Sequence, residues 1–173
     1  ISEAKAVTAS RIGKQMPTPV IAALPTSGIC PMNSRSMIVY EAFAARLTAA
    51  IGTLRVGDGL AGATDQGPLI DEQALAKVEE MVADAVAKGA RVLCGGKPHA
   101  LGHSFYEPTI LADVTPEMRM AREEIFGPVA PLFRFKDEAE AIHMANDTEF
   151  GLASYFYARD VGRIFRVSDA LEY

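Results

Sequence analysis

Apolar residues recur at helical spacing along much of the chain. Residues three and four apart lie on one face of a helix, so each such stretch predicts an amphipathic helix with one buried side. Asp71, Asp137 and Asp160 precede three of the stretches and can accept hydrogen bonds from first-turn amides. The predicted helices are 37–54, 71–88, 137–145 and 160–170.

The spacing also predicts which side of each helix faces the core. In the second helix, Lys77 falls with the charged residues on the outward side. The inward stripe of the first helix is predicted to be Ile38, Phe43, Leu47 and Ile51. The inward stripe of the last helix is predicted to be Val161, Ile164, Phe165 and Leu171.

Short apolar runs bounded by glycine and proline predict strands. These runs are 20–24, 91–94, 105–111, 129–135 and 153–157. Pro108 has no amide hydrogen for a sheet ladder, so it marks its own run as an edge or irregular strand. The order helix, glycine, strand is half of a βαβ unit, and residues 129–170 follow the same alternation. The sequence therefore predicts an α/β fold with a mostly parallel sheet flanked by helices.

Composition narrows the functional classes. The chain has 173 residues, enough for one domain with a sizeable core. Its 17 basic and 22 acidic residues give a net charge of −5 without a basic block, which argues against nucleic acid and anionic membranes as partners. No apolar stretch approaches the roughly 20 residues of a membrane-spanning helix. Two cysteines are too few for a disulfide scaffold, so we expect a reducing, cytoplasmic location.

Two patterns that could suggest binding sites are rejected. Residues 57–62 match G-x-G-x-x-G formally, but the following residues are loop rather than the helix that a dinucleotide site requires. His99 and His103 are four residues apart, yet Pro98 and Gly102 oppose the helix that would align them. No further ligand stands at a convincing spacing, so no metal site is predicted.

The most informative stretch is 122–129, which reads Arg-Glu-Glu-Ile-Phe-Gly-Pro-Val. A Gly-Pro break here separates two carboxylates and an aromatic residue from a buried strand. This break presents Glu124 and Phe126 at the mouth of that strand, where small ligands often meet α/β sheets. The alternative is an ordinary solvated loop.

The wording of this stretch resembles the signature of the aldehyde dehydrogenase family. Further motifs agree with that family in order and spacing, and several ordered motifs are stronger evidence than one. They are 54–59, 66–70, 88–97, 106–110, 123–128 and 146–152. Residues 67–72 and 130–135 are most similar to the succinate-semialdehyde dehydrogenase branch. The resemblance implies an incomplete catalytic domain over 30–173, preceded by an atypical segment, 1–29.

The resemblance also implies roles for individual residues. In the family, the second glutamate of the signature holds a nicotinamide-ribose hydroxyl and the phenylalanine flanks the nicotinamide, so Glu124 and Phe126 are the expected contacts to NAD or NADP. Cys30 is the expected nucleophile, with its backbone N–H in the oxyanion site, because it precedes the first helix and Arg35 follows five residues later. A thiolate is nucleophilic near neutral pH and leaves readily from a thioester.

Other features of the amino-terminal part depart from the family pattern. A count without gaps places Ser27 at the nucleophile position, so Cys30 requires a short deletion before the helix. Leu24 replaces the basic residue that holds the substrate carboxylate in the succinate-semialdehyde branch. No Glu-Leu-Gly-Gly segment supplies the general base. Without a family context, Cys30 after Gly-Ile reads as a small buried hydrophobe.

The expected activity is NAD(P)-dependent oxidation of an aldehyde, with succinate semialdehyde as the first candidate substrate. The chain alone is expected to be inactive, because hydride transfer needs the fold that positions the cofactor. The intact enzyme is expected to be a homo-oligomer. The alternatives are an enzyme for another aldehyde, or a non-catalytic binding or oligomerisation module.

Overall fold

The computed structural model describes residues 20–21, 35–149 and 154–172, with side-chain detail from residue 39 onward. All four predicted helices are confirmed. The elements are β1 (Val20–Ile21), α1 (Arg35–Ile51), α2 (Glu72–Ala87), β2 (Arg91–Cys94), β3 (Thr109–Val114), a 3₁₀ turn (Arg119–Ala121), β4 (Val129–Phe133), α3 (Glu138–Asn146) and α4 (Val161–Ala170). The side chains of Asp71, Asp137 and Asp160 cap α2, α3 and α4 as predicted.

The four described strands form one sheet in the order β1-β4-β3-β2. β4 is parallel to both β1 and β3, whereas β2 is antiparallel to β3. The predicted mostly parallel α/β fold is therefore confirmed. The antiparallel strand β2 follows α2 after a turn at Gly89, where φ is 102°.

Two strand predictions were wrong in detail. β3 is an interior strand rather than an edge, although it is irregular, as the alternative prediction had it, with register shifts against both β2 and β4. The strand begins at Thr109, one residue after Pro108, so the missing amide costs no ladder hydrogen bond. Residues 154–157, the described part of the predicted strand 153–157, form no strand. No described strand runs beside them, and a strand requires the hydrogen bonds of a neighbour.

Helices cover both faces of the sheet. Side chains alternate between faces along a strand, so adjacent residues of β3 and β4 enter different cores. The core on the α2 side includes Val78, Met81, Tyr106, Leu111, Met118, Met120 and Phe133. The core on the α1 side includes Tyr40, Ala44, Ile51, Ile110, Ala112 and Leu132. Tyr40 and Ala44, missed by the sequence pattern, therefore form much of the α1 face with Ile51.

A bulge in β3 changes this alternation. Asp113 has a φ of 60°, and the β3–β4 register shifts between Leu111 and Val114. The extra residue moves Val114 to the α2 side, although Ala112 lies on the α1 side. The bulge thus allows the end of β3 to contribute to the second core.

Tyr40 provides hydrogen bonds at this bulge. Its hydroxyl accepts from the Asp113 amide at 2.7 Å and donates to the Leu132 carbonyl at 3.2 Å. The guanidinium of Arg134 lies 3.8 Å from the centre of the Tyr40 ring and pairs with the Asp113 carboxylate, which Arg91 also binds. Burial alone would raise the pKa of Asp113, but the hydrogen bonds from the two arginines outweigh it and lower that pKa.

Tyr106 has the opposite environment. It is only 1% exposed, and its hydroxyl has no hydrogen-bond partner among the described residues. Burial is the main reason that the pKa of Tyr106 rises to about 12. The two buried tyrosines therefore differ in how well their hydroxyls are satisfied.

The predicted inward stripe of α4 was wrong. Val161 and Phe165 are 65% and 64% exposed, whereas Val167, which was not predicted, is buried. α4 is attached to α3 through Glu138, whose carboxylate binds the guanidinium of Arg163 at 2.9 Å. The apolar stripe of α4 consequently faces away from the described core.

Substituting each buried tyrosine by phenylalanine tests these two environments. Tyr40→Phe should lower the free energy of unfolding by about 1–3 kcal/mol, because it leaves the amide at the bulge without its partner. Tyr106→Phe should leave the free energy unchanged or raise it by up to about 1 kcal/mol, since it removes an unpaired hydroxyl from the core. Urea unfolding followed by far-ultraviolet circular dichroism measures both values. Equal losses would contradict the anchoring role of Tyr40.

Candidate functional site

The candidate site is the loop that joins the 3₁₀ turn to β4, which we call the 122–128 loop. It contains both predicted cofactor contacts and lies against α2. Met118 and Met120 are buried beneath it, and Ile125 packs against the same core. The loop therefore has a rigid support although it has no regular structure of its own.

Arg119 fixes the beginning of this segment. Its backbone amide donates to the Asp84 carboxylate at 2.9 Å, and its guanidinium bonds both oxygens of Glu123 at 3.0 and 3.1 Å. A weaker contact reaches Glu80 at 3.5 Å. The first glutamate of the signature is thus engaged in a structural ion pair, which lowers its pKa through the hydrogen bond from Arg119.

The second glutamate is held differently. The Nζ atom of Lys77 donates to the backbone oxygen of Glu124 at 2.7 Å. The Glu124 side chain is half-buried, and its carboxylate has no hydrogen-bond or ion-pair partner within the part of the chain that the structure describes. The backbone of Glu124 is therefore fixed by Lys77, whereas no described residue binds its carboxylate.

Phe126 has an unusual backbone conformation. Its φ is 48°, in the left-handed region that bulky residues rarely adopt, and its side chain is 50% exposed. Such strain persists only where the surroundings enforce it and is concentrated at functional sites. An aromatic side chain presented to solvent in this way suits a planar ligand better than it suits the core.

Gly127 contributes the closest contact between the loop and α2. A Cβ atom at this position would lie 2.6 Å from Cγ2 of Val78, a residue with no exposed surface. Only glycine permits this approach without movement of the helix. Lys77 and Val78, adjacent in α2, thus contact the two ends of the Glu124–Gly127 segment.

The loop lies at the amino end of β4. Ligands of α/β sheets usually bind at the carboxyl ends of the strands, so the sequence-based expectation of such a site was wrong about the end of the strand. Val129 is paired with Thr109, the first residue of β3, and the Thr109 amide donates to the Pro128 carbonyl at 2.8 Å. Because β2 is antiparallel to β3, its last residue, Cys94, lies at the same end of the sheet as the start of β3. The carboxyl-end rule therefore does not account for this site.

Of the two cysteines, only Cys94 lies in the described part of the chain. Cys30 lies outside the described residues, so its role stays a prediction. Cys94 ends β2, is half-buried and makes a long sulfur contact of 3.8 Å to the Pro108 carbonyl. Burial is the largest cause of the raised pKa of the Cys94 thiol, which makes it a poor nucleophile at neutral pH.

The patterns rejected at the sequence level remain loops. Residues 57–62 lie in turns, and the next helix begins only at Glu72. Within the described ranges, no group of three or more His, Cys, Asp or Glu side chains could hold a metal ion.

Sequence reasoning missed the role of Lys77. The helical pattern assigned it to the outward side, but the residue is half-buried and its ammonium reaches the candidate site 47 positions away in the chain. The only available signal was its place next to Val78 on the buried stripe. Helical periodicity indicates direction, whereas a long lysine side chain can extend past the edge of the buried face.

Comparison with known proteins gives this loop a context. Residues 27–173 match the sequence profile of the aldehyde dehydrogenase family. The chain belongs to the aldehyde dehydrogenase family. The resemblance drawn from the ordered motifs is thereby confirmed, and the match includes Cys30 as well as the 122–128 loop.

Individual members of the family are closely similar to the chain. It is 62% identical over 135 residues to a glutarate-semialdehyde dehydrogenase of Pseudomonas aeruginosa and to a succinate-semialdehyde dehydrogenase of Escherichia coli whose name specifies NADP(+). A 3-sulfolactaldehyde dehydrogenase of Pseudomonas putida is 58% identical over the same length. Each alignment covers 78% of this chain and 28% of the relative. The chain thus spans little more than a quarter of these relatives.

Solved structures agree on the fold. The chain matches a succinate-semialdehyde dehydrogenase from Burkholderia pseudomallei with a TM-score of 0.76 and 58% identity, over 78% of this chain and 28% of the other. A Mycobacterium tuberculosis aldehyde dehydrogenase complexed with NAD+ matches with a TM-score of 0.72 and 36% identity, over 76% and 28%. The architecture is therefore that of an incomplete aldehyde dehydrogenase.

Among the described residues, no helix has the length and hydropathy that a bilayer crossing requires.

The close approach of the loop to α2 can be tested with a matched pair of glycines. Gly127→Ala should lower the free energy of unfolding by about 1–3 kcal/mol, because the new methyl group overlaps Val78. Gly67→Ala is the control: this glycine also precedes a proline, but a Cβ atom there meets nothing within 4 Å. Urea unfolding measures both variants. Equal stabilities would show that the loop is not seated tightly on α2.

Proposed function

We propose that this chain takes part in the NAD(P)-dependent oxidation of an aldehyde to a carboxylate. The observation that carries the proposal is a contrast within the 122–128 loop: Arg119 binds the Glu123 carboxylate, whereas the Glu124 carboxylate has no partner among the described residues. In a purely structural loop, there would be no reason for one of two adjacent carboxylates to be paired and the other to be left unpaired. The free carboxylate of Glu124 is the group proposed to contact the cofactor.

The residues present fit a nicotinamide nucleotide. A carboxylate without a partner is a strong acceptor for ribose hydroxyl groups. A half-exposed aromatic ring, held by a strained backbone at Phe126, offers an apolar surface to a flat heterocycle. The bound cofactor would supply the hydride acceptor. The names of the relatives, one of which specifies NADP(+), support NAD or NADP without choosing between them.

A chain nucleophile completes the proposed chemistry. The thiolate of Cys30 would add to the aldehyde carbon and form a thiohemiacetal. Loss of hydride from that carbon would give a thioester, and attack by water would release the carboxylate and restore the thiol. Cys94 is a weak competitor for this role, because its thiol is half-buried and its pKa is raised.

The substrate proposed first is a semialdehyde that carries an anionic group at its far end. Relatives named for succinate semialdehyde, glutarate semialdehyde and 3-sulfolactaldehyde share this feature, since each aldehyde bears a carboxylate or sulfonate. Succinate semialdehyde is the preferred member of this set. Leu24 in place of a basic residue keeps a different aldehyde as the alternative.

The remaining expectations stand as proposals. The segment 30–173 is assigned to the catalytic domain and 1–29 to an atypical segment. The intact enzyme is assigned to the cytoplasm and to a homo-oligomeric state.

Binding of nicotinamide mononucleotide to the chain tests the cofactor site. This probe carries the nicotinamide and its ribose, which are the groups that Glu124 and Phe126 are proposed to contact. The adenosine half of the dinucleotide is therefore not needed. Saturable shifts of the backbone amide signals of residues 124–127 in nuclear magnetic resonance spectra are expected. Glu124→Gln should raise the dissociation constant about threefold to tenfold, because a charge-assisted hydrogen bond is replaced by a neutral one.

Glu79→Gln is the control for this titration. It removes the same charge from an exposed position on α2 and should leave the dissociation constant unchanged. An absence of shifts in the unsubstituted chain, or equal weakening by both substitutions, would contradict the proposed site.

A second candidate function is favoured by one observation. Tyr155, Tyr157 and Phe165 are 81%, 69% and 64% exposed, and the exposed residues Val161 and Ile164 belong to α4 together with Phe165. Large exposed apolar surfaces are typical of protein interfaces. A non-catalytic module that binds a partner or a second copy would use this surface and would not need a reactive thiol.

Alkylation of the two cysteines separates these functions. If Cys30 is a nucleophile, iodoacetamide should modify it at least about tenfold faster than Cys94 at neutral pH, because the rate follows the thiolate fraction. Peptide mass spectrometry at successive times measures both rates in the same sample. Equal and slow labelling would favour the non-catalytic module, and labelling in urea supplies the unfolded reference for each cysteine.

A further inference from the structure

We propose that Lys77 is the positioning residue of the cofactor loop: it holds the Glu124 backbone so that Glu124 and Phe126 are presented together. The inference rests on the proposed function and assigns a role to a residue outside the signature. Its basis is the 2.7 Å hydrogen bond from Lys77 Nζ to the Glu124 carbonyl oxygen.

The position of this bond is what distinguishes it from a general surface contact. It lies on the residue whose carboxylate is proposed to bind the ribose, and two residues before Phe126, whose φ is 48°. A fixed carbonyl at residue 124 restricts the peptide planes that follow it. The bond therefore opposes relaxation of Phe126 out of the left-handed region.

Val78 supplies the second half of the same restraint. It excludes any side chain at Gly127, since a Cβ atom there would approach Val78 Cγ2 to 2.6 Å. The segment 124–127 is thus held by a hydrogen bond at one end and by close packing at the other. Both restraints come from consecutive residues of α2, so one helix positions both ends of the segment.

Lys77 is suited to this role because its bond is partly shielded from water. The residue is half-buried, and a hydrogen bond from a charged donor strengthens as the local dielectric falls. The charge also lies close to Glu123 and contributes to the lowered pKa of that carboxylate. The Glu124 carboxylate itself is not paired with it.

A second lysine of the chain allows a comparison for the same chemistry, although its ammonium also pairs with the Asp84 carboxylate at 2.8 Å. Lys88, at the end of α2, donates its Nζ to the backbone oxygen of Glu117 at 2.9 Å. This lysine also fixes a carbonyl in a loop, but that loop carries neither predicted cofactor contact. Comparison of the two lysines separates positioning of the site from general stabilisation.

The first measurement is amide hydrogen exchange of the chain without ligand. Lys77→Met should speed exchange of the Val129 amide, which donates to the Gly127 carbonyl at 2.8 Å, by about fivefold. Lys77→Arg, which keeps a charged donor, should restore slow exchange. Lys88→Met should instead affect the Met118 amide, and Val82 within α2 reports any general loss of stability. Unchanged exchange at Val129 in Lys77→Met would overturn the proposal.

The second measurement is the dissociation constant of nicotinamide mononucleotide. Lys77→Met should raise it about threefold to tenfold, whereas Lys77→Arg and Lys88→Met should leave it within about twofold of the original chain. Faster exchange at Val129 with unchanged affinity would show a merely structural bond and overturn the positioning role. If the unsubstituted chain binds no probe, the proposed function fails, while the exchange data still decide whether Lys77 holds the loop.

Discussion

The packing of α2 against one face of β3 and β4 is the interaction on which the rest depends. Val78 and Met81, both without exposed surface, fill the space between the helix and the sheet. Burial of such side chains contributes roughly 1.5–3 kcal/mol each, more than any surface ion pair in the molecule can be expected to supply. The same helix surface supports the 122–128 loop, so the core and the candidate site share one foundation. A change that loosens α2 would therefore affect stability and ligand geometry together.

The second notable constraint is the bulge at Asp113. An interior strand covered by helices on both faces must supply apolar groups to two cores, and strict alternation would divide them evenly. The bulge sends Val114 to the α2 side, and Tyr40 satisfies the displaced amide. Two arginines then bind the Asp113 carboxylate at the end of the sheet opposite the candidate site. Polar groups thus secure one end of the sheet, while the candidate site lies at the other.

Much of the architecture could be predicted because it depends on local signals. Asp71 and Gly89 mark the ends of α2, and its apolar period identifies most of the buried stripe. The stripe of α4 was misjudged because periodicity cannot say whether a neighbour is present to cover it. Of the site, only the identities of the two expected cofactor contacts, Glu124 and Phe126, were predicted, and they came from the resemblance. The left-handed backbone of Phe126 and the contact from Lys77 arise from tertiary packing, which no local pattern encodes.

The different fates of the paired glutamates have a wider consequence. Glu123 and Glu124 are identical in chemistry, but their partners differ: a guanidinium binds the first carboxylate, and no described residue binds the second. The distinction depends on residues of α2 and the 3₁₀ turn, Lys77 and Arg119, rather than on the signature itself. Substitutions at these helix positions would remove the proposed nucleotide contact in descendants of such a protein while residues 123–128 stay unchanged. Motif inspection would then report an ability that the molecule no longer had.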